Sequence, residues 1–417
     1  MKKILVAGLL VCLLLFFLKS YANTPDRGIK DDNIVILISL DGFRADYLDL
    51  YPTTHISHLI KEGVRAEALI PAHPTKTFPN HYTIVTGLYP ANNGIVANVM
   101  YDPVFDETFS MSVRREVEKA RWWEGEPLWV TAEKQGVRAA TYFWPGSEAP
   151  IKDTRPTFWK RYDGSVPGNA RVDEVLGWLD LDENKQPRFI TLYFSDVDSE
   201  SHRYGPHSEE AVAAIGRVDE YIGRLLSGIA ARGLDDRVNI VLVSDHGMAQ
   251  TSDEKIIYLE DYIDESEIQL IEKTPMLMLN AINDDLQQIY EQLENAHPAM
   301  HVYLAADYPA DWHWEEHRRI PELVAEIEEG WSIVTNRDDY EAGRASIMPG
   351  AHGYDRRLAS MQAIFVAQGP AFEQGKQVAA FENIHIYPLI AHLLDLQPAE
   401  VDGRLDKIEH VLKNIED

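Results

Sequence analysis

Three runs of the chain are apolar without alternation. Residues 33–40 read Asn33-Ile34-Val35-Ile36-Leu37-Ile38-Ser39-Leu40 and stop at Asp41-Gly42; residues 188–195 stop before Asp196-Val197-Asp198, and residues 238–244 before Asp245-His246-Gly247. A β-branched run of that kind predicts a strand covered on both faces. Between these runs, residues 172–179 and 209–226 are amphipathic at helical spacing. Strands alternating with helices predict an α/β fold: a mostly parallel central sheet with helices on both faces. Such sheets bind ligands beyond the carboxyl ends of their strands, which is where all three runs deliver acidic residues.

From about residue 274 to 343 the texture changes. Short strands are expected at 276–279 and 301–304 and a helix at 284–294, joined by Pro- and Trp-rich connections. We read this as a small α+β insertion packed on the main body, because site-like chemistry resumes at Gly350-Ala351-His352-Gly353. An independently folding domain is the alternative.

Composition narrows the function. Of 417 residues 45% are hydrophobic, enough for a large packed core, and 67 acidic against 39 basic residues give a formal charge of -28. That balance leaves no basic footprint for stable nucleic-acid binding and calls for no obligate protein partner. A small anionic substrate would need local positive charge, and bound metal supplies it.

Residues 1–22 read as an export signal: Lys2 and Lys3, an apolar run over 4–18, then Ser20-Tyr21-Ala22 with cleavage after Ala22. The 15 apolar residues fall short of the ~20 needed to span a bilayer, so an uncleaved anchor is the alternative and no membrane span is expected after cleavage. Residues 23–417 would then form the catalytic domain of a periplasmic or secreted protein. Cys12, the only cysteine, lies in the signal, so the mature chain forms no disulfide.

Asp198 and His202 stand four apart, Asp245 and His246 are adjacent, and Asp41 and His352 stand alone. Six oxygen and imidazole donors of this mixture suit zinc, with manganese or a mixed pair a poorer match. Each pair alone has a plainer explanation, a loop hydrogen bond or a solvated helix face. Thr77 also carries two readings. Pro79 suits the first turn of a helix running to about Gly87, which puts Thr77 at or near its N-cap. It could simply cap that helix, or its hydroxyl, at a positive helix end and beside a metal, could act as a nucleophile.

The motifs Ser39-Leu40-Asp41-Gly42-Phe43-Arg44, Lys76-Thr77-Phe78-Pro79-Asn80-His81-Tyr82, Asn98-Val99-Met100-Tyr101-Asp102-Pro103, Trp144-Pro145-Gly146-Ser147-Glu148, Asp198 with His202, Ser244-Asp245-His246-Gly247-Met248 and His352-Gly353 together resemble a nucleotide pyrophosphatase/phosphodiesterase of the alkaline phosphatase superfamily. The likeness runs in order over nearly the whole mature chain. It implies an alkaline-phosphatase-like fold and two Zn2+ per chain, one held by Asp198, His202 and His352, the other by Asp41, Asp245 and His246 with Thr77. Thr77 would attack a nucleotide phosphodiester or pyrophosphate, forming a covalent threonyl-nucleotide that water then hydrolyses to a nucleoside 5'-monophosphate. Asn98 would donate to a non-bridging oxygen, while Phe78 and Tyr193, with Tyr162 as a third member, would flank the base. Core packing is the alternative for Tyr193. Many members carry proline and glycine where this chain has Val197 and Ser201, so the loop before His202 could differ in shape.

Rival readings remain inside and outside the superfamily. A phosphomonoesterase, a phosphonate hydrolase or a phospholipid-type phosphodiesterase would use the same metals, although one Asn98 and an aromatic pair favour a diester. The order His313, Glu316, His317 matches an inverted zinc-peptidase pattern, which Pro309 and its neighbours oppose by disfavouring a long helix. A non-catalytic binding protein would be expected to have lost a ligand or the nucleophile, and this chain keeps them all.

Overall fold

The computed structural model describes residues 32–283, 285–314 and 316–413; the export-signal expectation lies outside them. Its central sheet has eight strands: β1 Ile34–Leu40, β2 Val64–Ala66, β3 Ala139–Tyr142, β4 Phe158–Lys160, β5 Phe189–Phe194, β6 Val238–Val243, β7 Phe365–Gln368 and β8 Lys376–Val378. They lie in the order β8-β2-β7-β6-β1-β5-β3-β4. All pairings are parallel except those of β7, which runs antiparallel to β2 and β6.

The three unbroken apolar runs form the adjacent central strands β6, β1 and β5, each fully buried. Alternation decides which layer each side chain enters. Val35 and Leu37 join the core under the helices α2 Thr77–Thr86 and α6 Ile386–Leu393, while Ile34, Ile36, Ile38 and Leu40 join the core under α3 Gly168–Leu179 and α5 Glu209–Ala230. Truncating one such side chain to alanine costs about 2–5 kcal/mol.

Helix α5 shows how local chemistry fixes these layers. Ser208 caps it by accepting the Ala211 N–H at 3.1 Å, and Glu209 and Glu210 sit at its positive end. Val218, Ile222, Leu225 and Ile229 repeat at helical spacing and are buried on the sheet. Its Asp219 carboxylate accepts the N–H groups of Thr54, His55 and Ile56, so one helix satisfies the free donors of another, α1 Thr54–Lys61.

A second, antiparallel sheet joins Ile268–Glu272, Met276–Ala281, Leu323–Ile327 and Met300–Leu304 in that order, with helix Leu286–Leu293 packed on it. It starts before residue 274, because Ile268–Glu272 turns back on Met276–Ala281 as a hairpin partner. Met276 and Met278 join the main core, whereas Leu277 and Leu279 face a core local to this region. One face of the second sheet is thus completed by the main body.

Candidate active site

The acidic residues after β6, β1 and β5 converge because those strands are neighbours in register, Ser39 lying opposite both Tyr193 and Val243. Asp41 leaves β1 in a tight turn at Gly42, which has φ +68°. A Cβ on Gly42 would also come within 3.0 Å of the Asp198 Cα, so glycine there lets the two carboxylates approach. Asp198 and His202 lie one turn apart on α4 Asp196–Tyr204. His352 arrives through the pairing of Gly350–Ala351 with Ala249–Gln250, which stacks its ring on His246 at 3.6 Å.

Two groups of three donors result, Asp41/Asp245/His246 and Asp198/His202/His352, the donor atoms of each lying within 4.8 Å of one another. His246 Nε2 stands 2.9 Å from Asp245 Oδ2 and 3.6 Å from Asp41 Oδ1; Asp198 Oδ1 stands 3.3 Å from His202 Nε2 and 3.8 Å from His352 Nε2. Tetrahedral ligands at ~2.1 Å from one ion are separated by about 3.4 Å, so these spacings suit a cation in each group. Every histidine spends Nδ1 on a backbone carbonyl: His246 on Gly247, His202 on Gly350 and His352 on Thr75, each at 2.8 Å. That leaves Nε2 as the coordinating atom. Asp41 Oδ1, Asp198 Oδ1 and Asp245 Oδ2 are buried without a hydrogen bond, an arrangement a divalent ion would satisfy.

The charges within this volume conflict. Burial, then the Asp245 and Asp198 charges, push the Asp41 carboxyl well above its usual range. Burial also pushes Asp245 upward, but the imidazoles of His246 and His81 outweigh it and hold that carboxyl well below. Burial, with His246 and His202 nearby, depresses His352. Burial works the same way on His202, but Asp198 overcomes it and raises that imidazole. Bound cations would relieve the repulsion among the three carboxylates.

Lys76, not Thr77, occupies the N-cap of α2; Thr77 is the first helical residue, and its hydroxyl faces His246 Nε2 at 3.2 Å. The capping reading of Thr77 therefore fails: the N-cap residue is Lys76, whose own side chain makes no capping bond, and the first-turn Phe78 N–H is accepted by Asn98. Asn98 accepts the Phe78 N–H on Oδ1 at 2.9 Å, which leaves its NH2 as the end available to a ligand. Two cavities meet at Thr77 and Met111. One of about 90 Å³ is walled by Phe78, Tyr162, Tyr193, Phe143 and Trp144. The other, about 480 Å³, is lined by Asn98, Asp198, His202 and His352 and by Lys76 and Lys273.

Tyr193 does more than wall the smaller cavity: its hydroxyl donates to Asp41 Oδ2 at 2.5 Å. Burial and the Asp41 charge raise its phenol well above the usual range, so it stays a donor. His81 also escaped the sequence reading. It bonds the Thr77 carbonyl at 2.9 Å and Ser39 Oγ at 2.8 Å, and lies 3.2 Å from Asp245 Oδ2. Its position four residues after Thr77, on the same helix face, is the signal that could have found it.

Val197 and Ser201 lie inside α4 with helical backbone, so no positive φ is required there. His313, Glu316 and His317 form no metal-ligating group among the described residues. His313 has φ +53° and stacks on Tyr89, while His317 contacts Glu124 at 3.4 Å, which removes the geometry a zinc peptidase needs.

The family model for type I phosphodiesterase/nucleotide pyrophosphatase matches residues 35–355. The chain is 41% identical over 389 residues to ectonucleotide pyrophosphatase/phosphodiesterase family member 3 of Bos taurus, covering 91% of this chain and 44% of that protein. It is 40% identical over 395 residues to the venom phosphodiesterase of Naja atra, covering 92% and 47% respectively. The chain thus spans under half the length of these curated relatives. A solved structure of an inactive variant of murine ectonucleotide pyrophosphatase/phosphodiesterase 5 in complex with AMP superposes with TM-score 0.87 at 34% identity, over 91% of this chain and all of that one. On this fold and these matches, the chain belongs to the type I phosphodiesterase/nucleotide pyrophosphatase family.

Proposed function

We infer that the protein hydrolyses nucleotide phosphodiester and pyrophosphate bonds, releasing a nucleoside 5'-monophosphate. The observation that carries this reading is the placement of Thr77: its hydroxyl lies at a helix N-terminus, faces one donor group and borders both cavities. A nucleotide spanning the two cavities would set its base among the aromatics, its phosphorus at Thr77 and its leaving group in the larger chamber. AMP in the murine relative supports the nucleotide side of this reading.

Asp41, Asp245 and His246 would hold one Zn2+, with Thr77 as a further ligand, and Asp198, His202 and His352 the other. When bound, such a pair neutralises charge on the attacking and leaving oxygens of an in-line displacement. Thr77 Oγ1, its proton passed to solvent at the positive helix end, attacks phosphorus; the bond to the leaving oxygen breaks, and the leaving group departs as an anion or takes a proton from solvent. The nucleotide is then esterified to Thr77, and water attacks from the vacated side to return the hydroxyl. The Asn98 NH2 and the Thr77 N–H steady the non-bridging oxygen. Phe78 and Tyr193 flank the base with Tyr162 at the rim, and stacking accepts any base. The Lys273-Thr274-Pro275 turn that joins two strands of the second sheet lines the larger chamber, which supports counting that sheet within the catalytic unit.

No helix among the described residues is long and apolar enough to cross a membrane. The names of the relatives, an ectonucleotide enzyme and a venom enzyme, support a secreted or periplasmic protein. The deciding test compares kcat/KM of the metal-loaded protein for a nucleotide diester and the matching monoester, with and without chelator. A diester preference lost on chelation is expected. A monoester preference would overturn the substrate assignment, and indifference to chelator would overturn the metals.

A further inference from the structure

Resting on the nucleotide reading above, the larger chamber carries a feature that this reading does not use. Lys76 lines it beside the Asp198 group, and Gly353 leaves room for it: a Cβ there would lie 2.5 Å from Lys76 Cε. Yet its charge is already committed. Lys76 Nζ donates to Glu272 Oε1 at 2.5 Å and to the Thr274 carbonyl at 3.3 Å. Both partners of the ion pair are shielded, with side-chain exposures of 5% and 14%, so the pair is held in a poorly screened setting. Glu272 comes from the second sheet and has its other oxygen buried without a hydrogen bond.

The other lysine of the chamber is held more loosely, its charge acting on Asp339 only from beyond ion-pair distance. Lys273 bonds the Thr335 hydroxyl at 3.3 Å and, among the described residues, has no carboxylate within ion-pair range. The rest of the wall is largely apolar, built by Met111, Pro275, Ile333, Val334, Ile347 and Met348. At about 480 Å³, the chamber falls within the ~300–1,000 Å³ of sites for sizeable organic ligands.

We propose that Glu272 sets leaving-group specificity: by neutralising Lys76 it makes the chamber favour an organic phosphate monoester, such as the second half of a dinucleotide, over bare pyrophosphate. Inorganic pyrophosphate is small, carries more charge than a phosphate monoester, and has nothing to lay against an apolar wall. With Lys76 neutralised, Lys273 is the cation left for the leaving phosphate. The organic part then fills the apolar remainder. Glu272 acts through Lys76, so it is a positioning residue.

The test uses the full, metal-loaded protein and the ratio of kcat/KM for ATP to that for a dinucleoside diphosphate. Wild type is expected to prefer the dinucleotide, and Glu272→Gln, which keeps shape and removes charge, to shift the ratio about tenfold toward ATP, mainly through KM. The double variant Lys76→Met/Glu272→Met removes the pair at once and should return the ratio to within about threefold of wild type. A purely structural role would move both variants alike. A wild-type preference for ATP overturns the proposal without any variant. So does an unchanged ratio in folded Glu272→Gln protein, or an equal shift in the double variant. Wild-type protein that cleaves no nucleotide pyrophosphate at all overturns the functional reading, and this proposal with it.

Discussion

Tyr193 donates its hydroxyl proton to Asp41 Oδ2 at 2.5 Å, which ties the wall of the smaller cavity to one donor group. The ring and the hydroxyl can be separated by mutation. Tyr193→Phe keeps the ring but removes the bond that orients Asp41, so metal affinity should fall about 10–100-fold. With metal in excess, KM for a nucleotide should stay close to wild type. Metal titration followed by colorimetric release from the protein reads the first effect, and steady-state kinetics the second. A loss of nucleotide affinity with undiminished metal affinity would reverse the two roles.

Thr77→Ala should abolish turnover while metal content stays near that of wild type, because the six Asp and His donors remain. Elemental analysis beside a rate assay decides it. Full activity would remove Thr77 from the reaction.

Asn98 has its oxygen fixed by the Phe78 N–H at 2.9 Å. Asn98→Ala should lower kcat by about 10²–10³ if the NH2 steadies a developing charge. An unchanged kcat would leave Asn98 with the sole role of holding the first turn of α2.

Glu326, in the second sheet, gives a pH prediction away from the site. Burial, then the Asp355 and Asp311 charges, overcome Arg357 and push its carboxyl up to about 7. Its strand neighbours place His301 and Met276 opposite it. The folded protein then keeps this proton where the unfolded chain, near 4.5, has lost it. Stability from this group is full below pH 4.5 and is lost as pH rises through 7. Glu326→Gln should therefore stabilise the protein by about 2–3 kcal/mol at pH 8 and little at pH 4. Thermal unfolding of both proteins across that range measures it, and equal Tm differences at all pH values would show that Glu326 is not the group titrating.

Asp41, Asp198 and Asp245 were readable as candidate donors because unbroken apolar runs mark central strands and each run ends in acid. Strand order was not readable, and the antiparallel β7 gives no local sign of direction, since its pairing depends on partners more than a hundred residues away. The helix starting at Thr77 was legible from Pro79 and Gly87, but its exact cap was not, because an N-cap without a side-chain bond leaves no residue signature. The bond from Tyr193 to Asp41 depends on register between β1 and β5, which no spacing along the chain encodes. Glu272 and Lys76 meet only because the second sheet shares its inner face with the main core.

The stacking of His352 on His246 also imposes a timetable on biosynthesis. A ribosome delivers Asp41, Asp245 and His246 more than a hundred residues before His352, so one donor group has all its members emerged while the other still waits for its third. The nascent chain therefore stays incomplete at this centre until the strand bearing Gly350–Ala351 has been made and has paired with Ala249–Gln250.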